Sequence, residues 1–318
     1  MYYIGIDLGG TNIAAGIVDG NDGNIVVKGS VPTNANREPD EIVKDMADLC
    51  KRLVEKANLS LCDIEYAGIA TPGSVDKDSG MVIYTNNIPF YMYPIADKLK
   101  EFLPIKKVLI ENDANAAAKG EVEYGAAKGY KNAIMITLGT GLGGGIIIDG
   151  KIYSGFNSAG GELGHTVICT DGLDCTCGRK GCWETYSSAT GLINMTKRAL
   201  EGKDKSDTIM FDIIEKEGKV SGRTAFDGMK KGDKIATWVV DQYIKYLADG
   251  IANMVNIFQP EVFIIGGGIC NEKEYLLGPL RELVDKADYN KLENYKTQFK
   301  IASLGNDAGI IGAAMLGI

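Results

Sequence analysis

Two stretches of this chain repeat one order of apolar and polar positions, 130 residues apart. Residues 6–20 read IDLGGTNIAAGIVDG and residues 136–150 read ITLGTGLGGGIIIDG. Six of the 15 positions are identical: Ile6/Ile136, Leu8/Leu138, Gly9/Gly139, Ile17/Ile147, Asp19/Asp149 and Gly20/Gly150. Each stretch predicts an apolar strand, a tight turn rich in glycine and threonine, a second apolar strand and an Asp-Gly turn. Agreement of register at both ends favours duplication over the general liking of hairpins for glycine.

Elsewhere the period changes. Residues 108–110 form a short apolar run and 114–124 an alanine-rich helical pattern. A long helical period over 235–258 stops at Gln259-Pro260, and the apolar strand 262–265 leads into Gly266-Gly267-Gly268. The strand 67–70 enters the turn Thr71-Pro72-Gly73-Ser74, and 86–90 is a polar loop closed by Phe90. The charged stretch 201–219 reads as a solvated helical surface. Helices alternating with strands and glycine turns predict an α/β fold, with ligands beyond the carboxyl ends of strands.

Composition narrows the classes. With 34 basic and 42 acidic side chains the net charge is −8, which disfavours nucleic acid and anionic membrane as partners. The first residues carry neither the basic start nor the apolar run of a secretion signal, and no stretch is apolar enough to span a bilayer. Seven cysteines in such a chain point to reduced thiols and metal in a cytoplasmic protein. The length suggests two domains.

The repeated turns supply the first candidate chemistry. Without side chains, Gly9, Gly10, Gly139 and Gly141 let backbone N–H groups approach phosphate oxygens, and Thr11 and Thr140 add hydroxyl donors beside Asn12. Two such loops suit the phosphates of a nucleotide, although neither has the P-loop pattern. Asp7 has Thr137 as its counterpart, and one carboxylate among phosphate donors suits Mg²⁺. The run 266–268 is a candidate adenosine shelf. Between the strand and the alanine-rich helix stand Glu111, Asn112 and Asp113; Asn112 and Asp113 suit N-capping, and Asp113 suits a general base with Asn112 orienting the substrate beside it.

The only histidine, His165, precedes Cys175, Cys177 and Cys182, with Glu162 and Glu184 as flanking acids. Three thiolates and an imidazole are a structural zinc set. Cys169, the fourth cysteine of this polar, glycine-rich stretch, is left without a role.

These segments together resemble the ROK family of sugar kinases, and within it the bacterial ATP-dependent glucokinases. The resemblance rests on DLGGTN at 7–12, ENDANAAA at 111–118, TLGTGLGGG at 137–145, ELGH at 162–165, CTCGRKGCWE at 175–184, GGG at 266–268 and GIIGAA at 309–314. It implies a two-lobed ribonuclease H-like fold of the actin, hexokinase and Hsp70 superfamily around a cleft. The small lobe would hold 1–115 and 302–318, the large lobe 116–301. It implies phosphorylation of a hexose, glucose first, by ATP with Mg²⁺, and a structural Zn²⁺ on His165, Cys175, Cys177 and Cys182. The sugar would meet Gly73, Asn87, Asn112, Asp113, Glu162, His165 and Glu184. Homo-oligomers, dimers or tetramers, are implied as well. Phe90 stands where the family commonly has tryptophan. The alternatives are another sugar, such as N-acetylmannosamine, fructose, allose or a β-glucoside, and a sugar-responsive regulator.

Overall fold

A computed structural model describes residues 1–318, the side chain of Glu293 excepted. The chain divides into two compact units, Met1–Met135 with Gly145–Gly161 and Ala302–Ile318, and Ile136–Gly144 with Glu162–Ile301. The first unit thus includes residues 116–135 and 145–161, which the sequence reading assigned to the large lobe.

The first unit is built on β1 (Tyr2–Leu8), β2 (Asn12–Asp19) and β3 (Ile25–Pro32), an antiparallel meander. After α1 (Pro39–Lys56), strand β4 (Ile64–Thr71) returns parallel to β1. A small antiparallel sheet of β5 (Ser74–Asp76), β6 (Met81–Tyr84) and β7 (Tyr91–Tyr93) follows, then α2 (Ile95–Phe102). Strand β8 (Val108–Asn112) completes the order β3-β2-β1-β4-β8, parallel to β4, and runs into α3 (Asp113–Glu123).

Register decides what this sheet can present. Asp7 lies opposite Ala70, and Ala70 opposite Glu111, so β1, β4 and β8 end together at one edge. Ile42, Val43 and Met46 of α1 and Leu99 of α2 are buried in one core with Ile4, Ile6 and Ile69 of the sheet. Against Tyr3 and Val18 pack Ile310, Ile311 and Ala314 of the terminal helix, labelled α10 below. That helix approaches too closely for side chains: a Cβ on Gly68 would overlap the carbonyl of Ala313, and one on Gly312 the carbonyl of Ala116 in α3. The approach of α3 to the terminal helix is what keeps residues after 115 in this unit.

A second sheet runs in the order β11-β10-β9-β12-β13, from β9 (Ala133–Leu138), β10 (Leu142–Ile148), β11 (Lys151–Ile152), β12 (Val262–Gly266) and β13 (Gln298–Ile301). β12 is buried throughout and parallel to β13.

The helices of the second unit are α4 (Trp183–Ser187), α5 (Ala189–Leu200), α6 (Met210–Glu217), α7 (Thr224–Lys230), α8 (Lys234–Phe258) and α9 (Glu274–Ala287), before the terminal α10 (Ala308–Ala314) of the first unit. Trp183 is fully buried where Gly250 of α8 leaves room for its indole. The helix expected over 201–219 is shorter: only α6 forms, burying Met210 and Ile213, while residues 201–207 make exposed turns. Those turns are closed by short polar loops, such as Ser206 N–H and Oγ on Asp204 Oδ1, where side-chain oxygens compete with helical hydrogen bonds. Among the described residues, no helix is long and apolar enough to cross a membrane.

Candidate active site and metal centre

In the first unit the predicted residues gather at the shared edge of β1, β4 and β8. The β1–β2 turn is closed by Gly9 N–H donating to the Asn12 carbonyl at 3.0 Å, and Thr33 Oγ1 donates to the Gly9 carbonyl at 2.6 Å. Gly10 faces Asn87, whose Cβ would lie 3.2 Å from a Cβ on Gly10. The phosphate-type turn therefore abuts the loop that carries Asn87. Thr85 ties that loop by donating its hydroxyl to the Ile88 carbonyl. Phe90 turns inward: it is 1% exposed and stacks on Tyr93 at 4.9 Å, so the loop surface is made by the exposed Asn86 and Asn87 instead.

Asp7 is walled by α10, for a side chain on Gly309 would collide with its carboxylate. Burial, and then the neighbouring charge of Asp113, push the Asp7 carboxyl from 3.8 to about 6. A carboxylate that resists ionisation in this way gains from a cation beside it, which is the fit expected for Mg²⁺.

Asn112 ends β8 and caps α3, with Oδ1 accepting Ala114 N–H at 2.9 Å and Asn115 N–H at 3.3 Å. Its Nδ2 donates to the Gly73 carbonyl at 3.2 Å, tying the turn that carries Gly73 to the same corner. Asp113 is the first residue of α3, is exposed, and accepts Ala114 N–H at 2.8 Å. Capping and presentation of the acid are thus divided between neighbours. The sequence reading assigned no role to the buried Glu111, whose Oε1 accepts both Asn112 N–H at 2.9 Å and Asn115 Nδ2 at 3.1 Å. Its position inside an acidic capping motif hid it, since an acid there reads as one more cap.

The second unit holds the remaining residues. Gly139 N–H donates to the Gly141 carbonyl at 3.0 Å, closing the β9–β10 turn, and Ala189 N–H donates to the Gly139 carbonyl at 2.9 Å. Gly267 has φ +102, and a Cβ there would overlap the Leu138 carbonyl, so the third glycine run packs on the end of β9. Glu184 Oε2 accepts Leu142 N–H at 2.8 Å, and Gly164 of the ELGH segment sits against the Leu142 carbonyl. Glu162 is exposed at the start of the short turn Leu163–His165.

The ligand atoms of His165, Cys175, Cys177 and Cys182 all lie within 4.8 Å of one another. Cys175 Sγ is 3.7 Å from His165 Nδ1 and Cys177 Sγ 3.6 Å from Cys182 Sγ. Donors around a tetrahedral zinc with bonds of about 2.0–2.3 Å are spaced by about 3.6–3.8 Å, so these two spacings suit such an ion. Burial pushes the Cys182 thiol up to about 12, whereas the Arg179 backbone N–H lowers that of exposed Cys177. A buried thiol of this kind becomes a thiolate only with a cation to hold it. His165 faces the cluster through Nδ1, leaving Nε2 for another partner. Cys169 is not among the four.

Comparison with known proteins agrees with this architecture. The family model described as "ROK family" matches residues 3–318. A glucokinase of Halalkalibacterium halodurans is 37% identical over 317 residues, covering 99% of this chain and 94% of the relative. Among solved structures, a ROK family glucokinase from Streptomyces griseus in complex with glucose and AMPPNP has a TM-score of 0.80 at 33% identity, with 99% of each chain covered. A ROK hexokinase from Thermus thermophilus has a TM-score of 0.81 at 31% identity, with 99% and 97% covered. The chain thus belongs to the ROK family, with the ribonuclease H-like fold of its sugar kinases.

Proposed function

We propose that the chain transfers the γ-phosphoryl group of ATP to the 6-hydroxyl of a hexose, and that the hexose is glucose. The observation that carries this is Asp113, an exposed carboxylate at the start of α3, on the sheet edge that also presents Asp7 and the Gly9–Gly10 turn. The glucokinase relatives at this level of identity support the same reading.

In this reading Asp113 takes the proton of the 6-hydroxyl as that oxygen attacks the γ-phosphorus. The new bond joins the sugar oxygen to phosphorus, and the bond from phosphorus to the β,γ-bridging oxygen breaks, leaving its electron pair on ADP. Backbone N–H groups of 9–12 and 139–141 hold the phosphates, and 266–268 support the adenosine. Positioning and charge neutralisation dominate such transfers. Magnesium near Asp7 neutralises phosphate charge when bound. Gly73, Asn87, Asn112, Glu162, His165 and Glu184 are the residues that orient the sugar in this reading. Zinc on His165, Cys175, Cys177 and Cys182 orders the loop bearing Glu184 and fixes the histidine tautomer, so that Nε2 faces the sugar. The reaction belongs in the cytoplasm, where ATP is plentiful and thiols stay reduced, in a dimer or tetramer.

The test is ADP release from MgATP across a panel of hexoses, amino sugars and disaccharides. Preference for glucose is expected. Preference for another sugar keeps the mechanism and replaces the substrate, and no turnover with any of them overturns the kinase reading.

A further inference from the structure

Glu184 of α4 reaches the β9–β10 turn. One of its carboxylate oxygens, Oε2, accepts the backbone N–H of Leu142, the residue that leaves the β9–β10 turn. Gly141 lacks a side chain at the point of contact, and a Cβ there would overlap Oε2. The turn is also held by Ala189 N–H on the Gly139 carbonyl, at the start of α5 just beyond α4, the helix that carries Glu184. A charge-assisted bond from a backbone N–H is among the stronger and more directional links a turn can have.

We infer that Glu184 is a coupling residue, through which sugar occupancy sets the conformation of the phosphate-binding turn 139–142. The inference rests on the proposed function, in which Glu184 also meets the sugar. A single planar carboxylate cannot rotate toward a sugar hydroxyl without moving its second oxygen, and that oxygen holds Leu142. A sugar that fixes one edge of the carboxylate therefore fixes the turn, and a turn fixed by phosphates fixes the carboxylate for the sugar. Such coupling is reciprocal in binding free energy. It favours nucleotide binding once sugar is present, which limits transfer of the phosphoryl group to water.

The measurement is the affinity for AMPPNP with Mg²⁺, by calorimetry, with and without saturating sugar, using glucose or whichever hexose the panel selects. The ratio of the two dissociation constants is the coupling factor, expected in the ordinary range of about 5–150 for the wild-type chain. Two variants approach the link from opposite ends. Glu184→Ala removes the carboxylate, and Gly141→Ala pushes it aside with a methyl group while leaving every other side chain in place. Both are expected to bring the coupling factor to within about two-fold of unity, the level at which the coupling free energy nearly vanishes. Gly141→Ala is also expected to weaken sugar binding, although residue 141 belongs to the phosphate turn. Unchanged bound metal and melting temperature separate this effect from collapse of the loop.

A wild-type factor near unity, or a wild-type factor that survives in both variants while Glu184→Ala weakens sugar binding alone, overturns the coupling role and leaves the kinase reading intact. A wild-type chain that turns over no sugar and binds none overturns both.

Discussion

Glu111 and Asn115 are bonded to each other across the first turn of α3, and the same Glu111 oxygen also holds the backbone N–H of Asn112. Glu111 and Asn115 are each 3% exposed. The capping residue, the helix that Asp113 begins and the end of β8 are therefore fixed by one buried carboxylate. Removing it as Glu111→Ala leaves the buried Asn115 amide without this acceptor, at about 1–3 kcal/mol, and takes the acceptor from the part-buried Asn112 N–H as well. The expected outcome is a clear fall in melting temperature together with a fall in kcat, because Asp113 loses its fixed base. Glu111→Gln, which keeps one accepting oxygen, is expected to fall between. Thermal unfolding and steady-state kinetics on the two variants measure this, and a wild-type melting temperature for Glu111→Ala contradicts the role.

Asp113→Asn separates chemistry from binding. The amide keeps the shape and can still accept Ala114 N–H, as Asp113 Oδ1 does at 2.8 Å, but it cannot take the hydroxyl proton. Loss of a general base costs about 10²–10⁴-fold in rate. The expected result is a fall of that size in kcat with sugar affinity, read by calorimetry, retained within a few-fold. Near-normal turnover removes Asp113 as the base.

Asp7 predicts two pH effects with opposite benefit. Its carboxyl is raised from 3.8 to about 6, so the folded state holds the proton more tightly than the unfolded state. Its contribution to stability is fully present below pH 3.8 and is lost as pH rises through about 6. Asp7→Asn is therefore expected to raise the melting temperature of the metal-free protein, measured at pH 7, and to have little effect near pH 4. Activity behaves in the other direction. If Mg²⁺ requires the ionised carboxylate, kcat/KM falls on the acid side of about pH 6, and rising MgCl₂ moves that limb to lower pH. An acid limb insensitive to magnesium assigns it to another group.

How much of this was legible in the chain differs by feature, for physical reasons. Both phosphate-type hairpins could be read because residues 6–20 and 136–150 carry their own strand period and turn chemistry locally. The four residues of the Cys/His set were legible as a cluster because softness and spacing of the ligands are written in residue type. The position of residues 116–135 was not, since it depends on the close approach of α3 to α10, in which Gly312 meets Ala116 far away in sequence. Phe90 gave no sign of facing inward, because an aromatic beside a polar loop fits a sugar platform and a core plug equally well. The tie between Glu184 and Leu142 spans 42 residues and leaves no trace in local pattern.

The metal centre makes the last prediction. Two donor spacings in the Cys/His set, 3.7 and 3.6 Å, suit zinc, and Cys175 and Cys182 are buried while Cys177 is exposed. Cys182, with its thiol pushed up to about 12 by burial, needs the cation to ionise, so metal and fold are linked. Elemental analysis of the purified chain is expected to find one zinc per chain, and Cys177→Ser is expected to lose most of it. Because Cys182 lies two residues before Glu184, loss of metal is expected to weaken sugar binding. A chelator titration followed by sugar calorimetry reads this. Sugar affinity is expected to fall at chelator concentrations that leave the far-ultraviolet circular dichroism unchanged, with zinc restoring it. Full sugar affinity in a zinc-free chain removes the metal from any part in shaping the site.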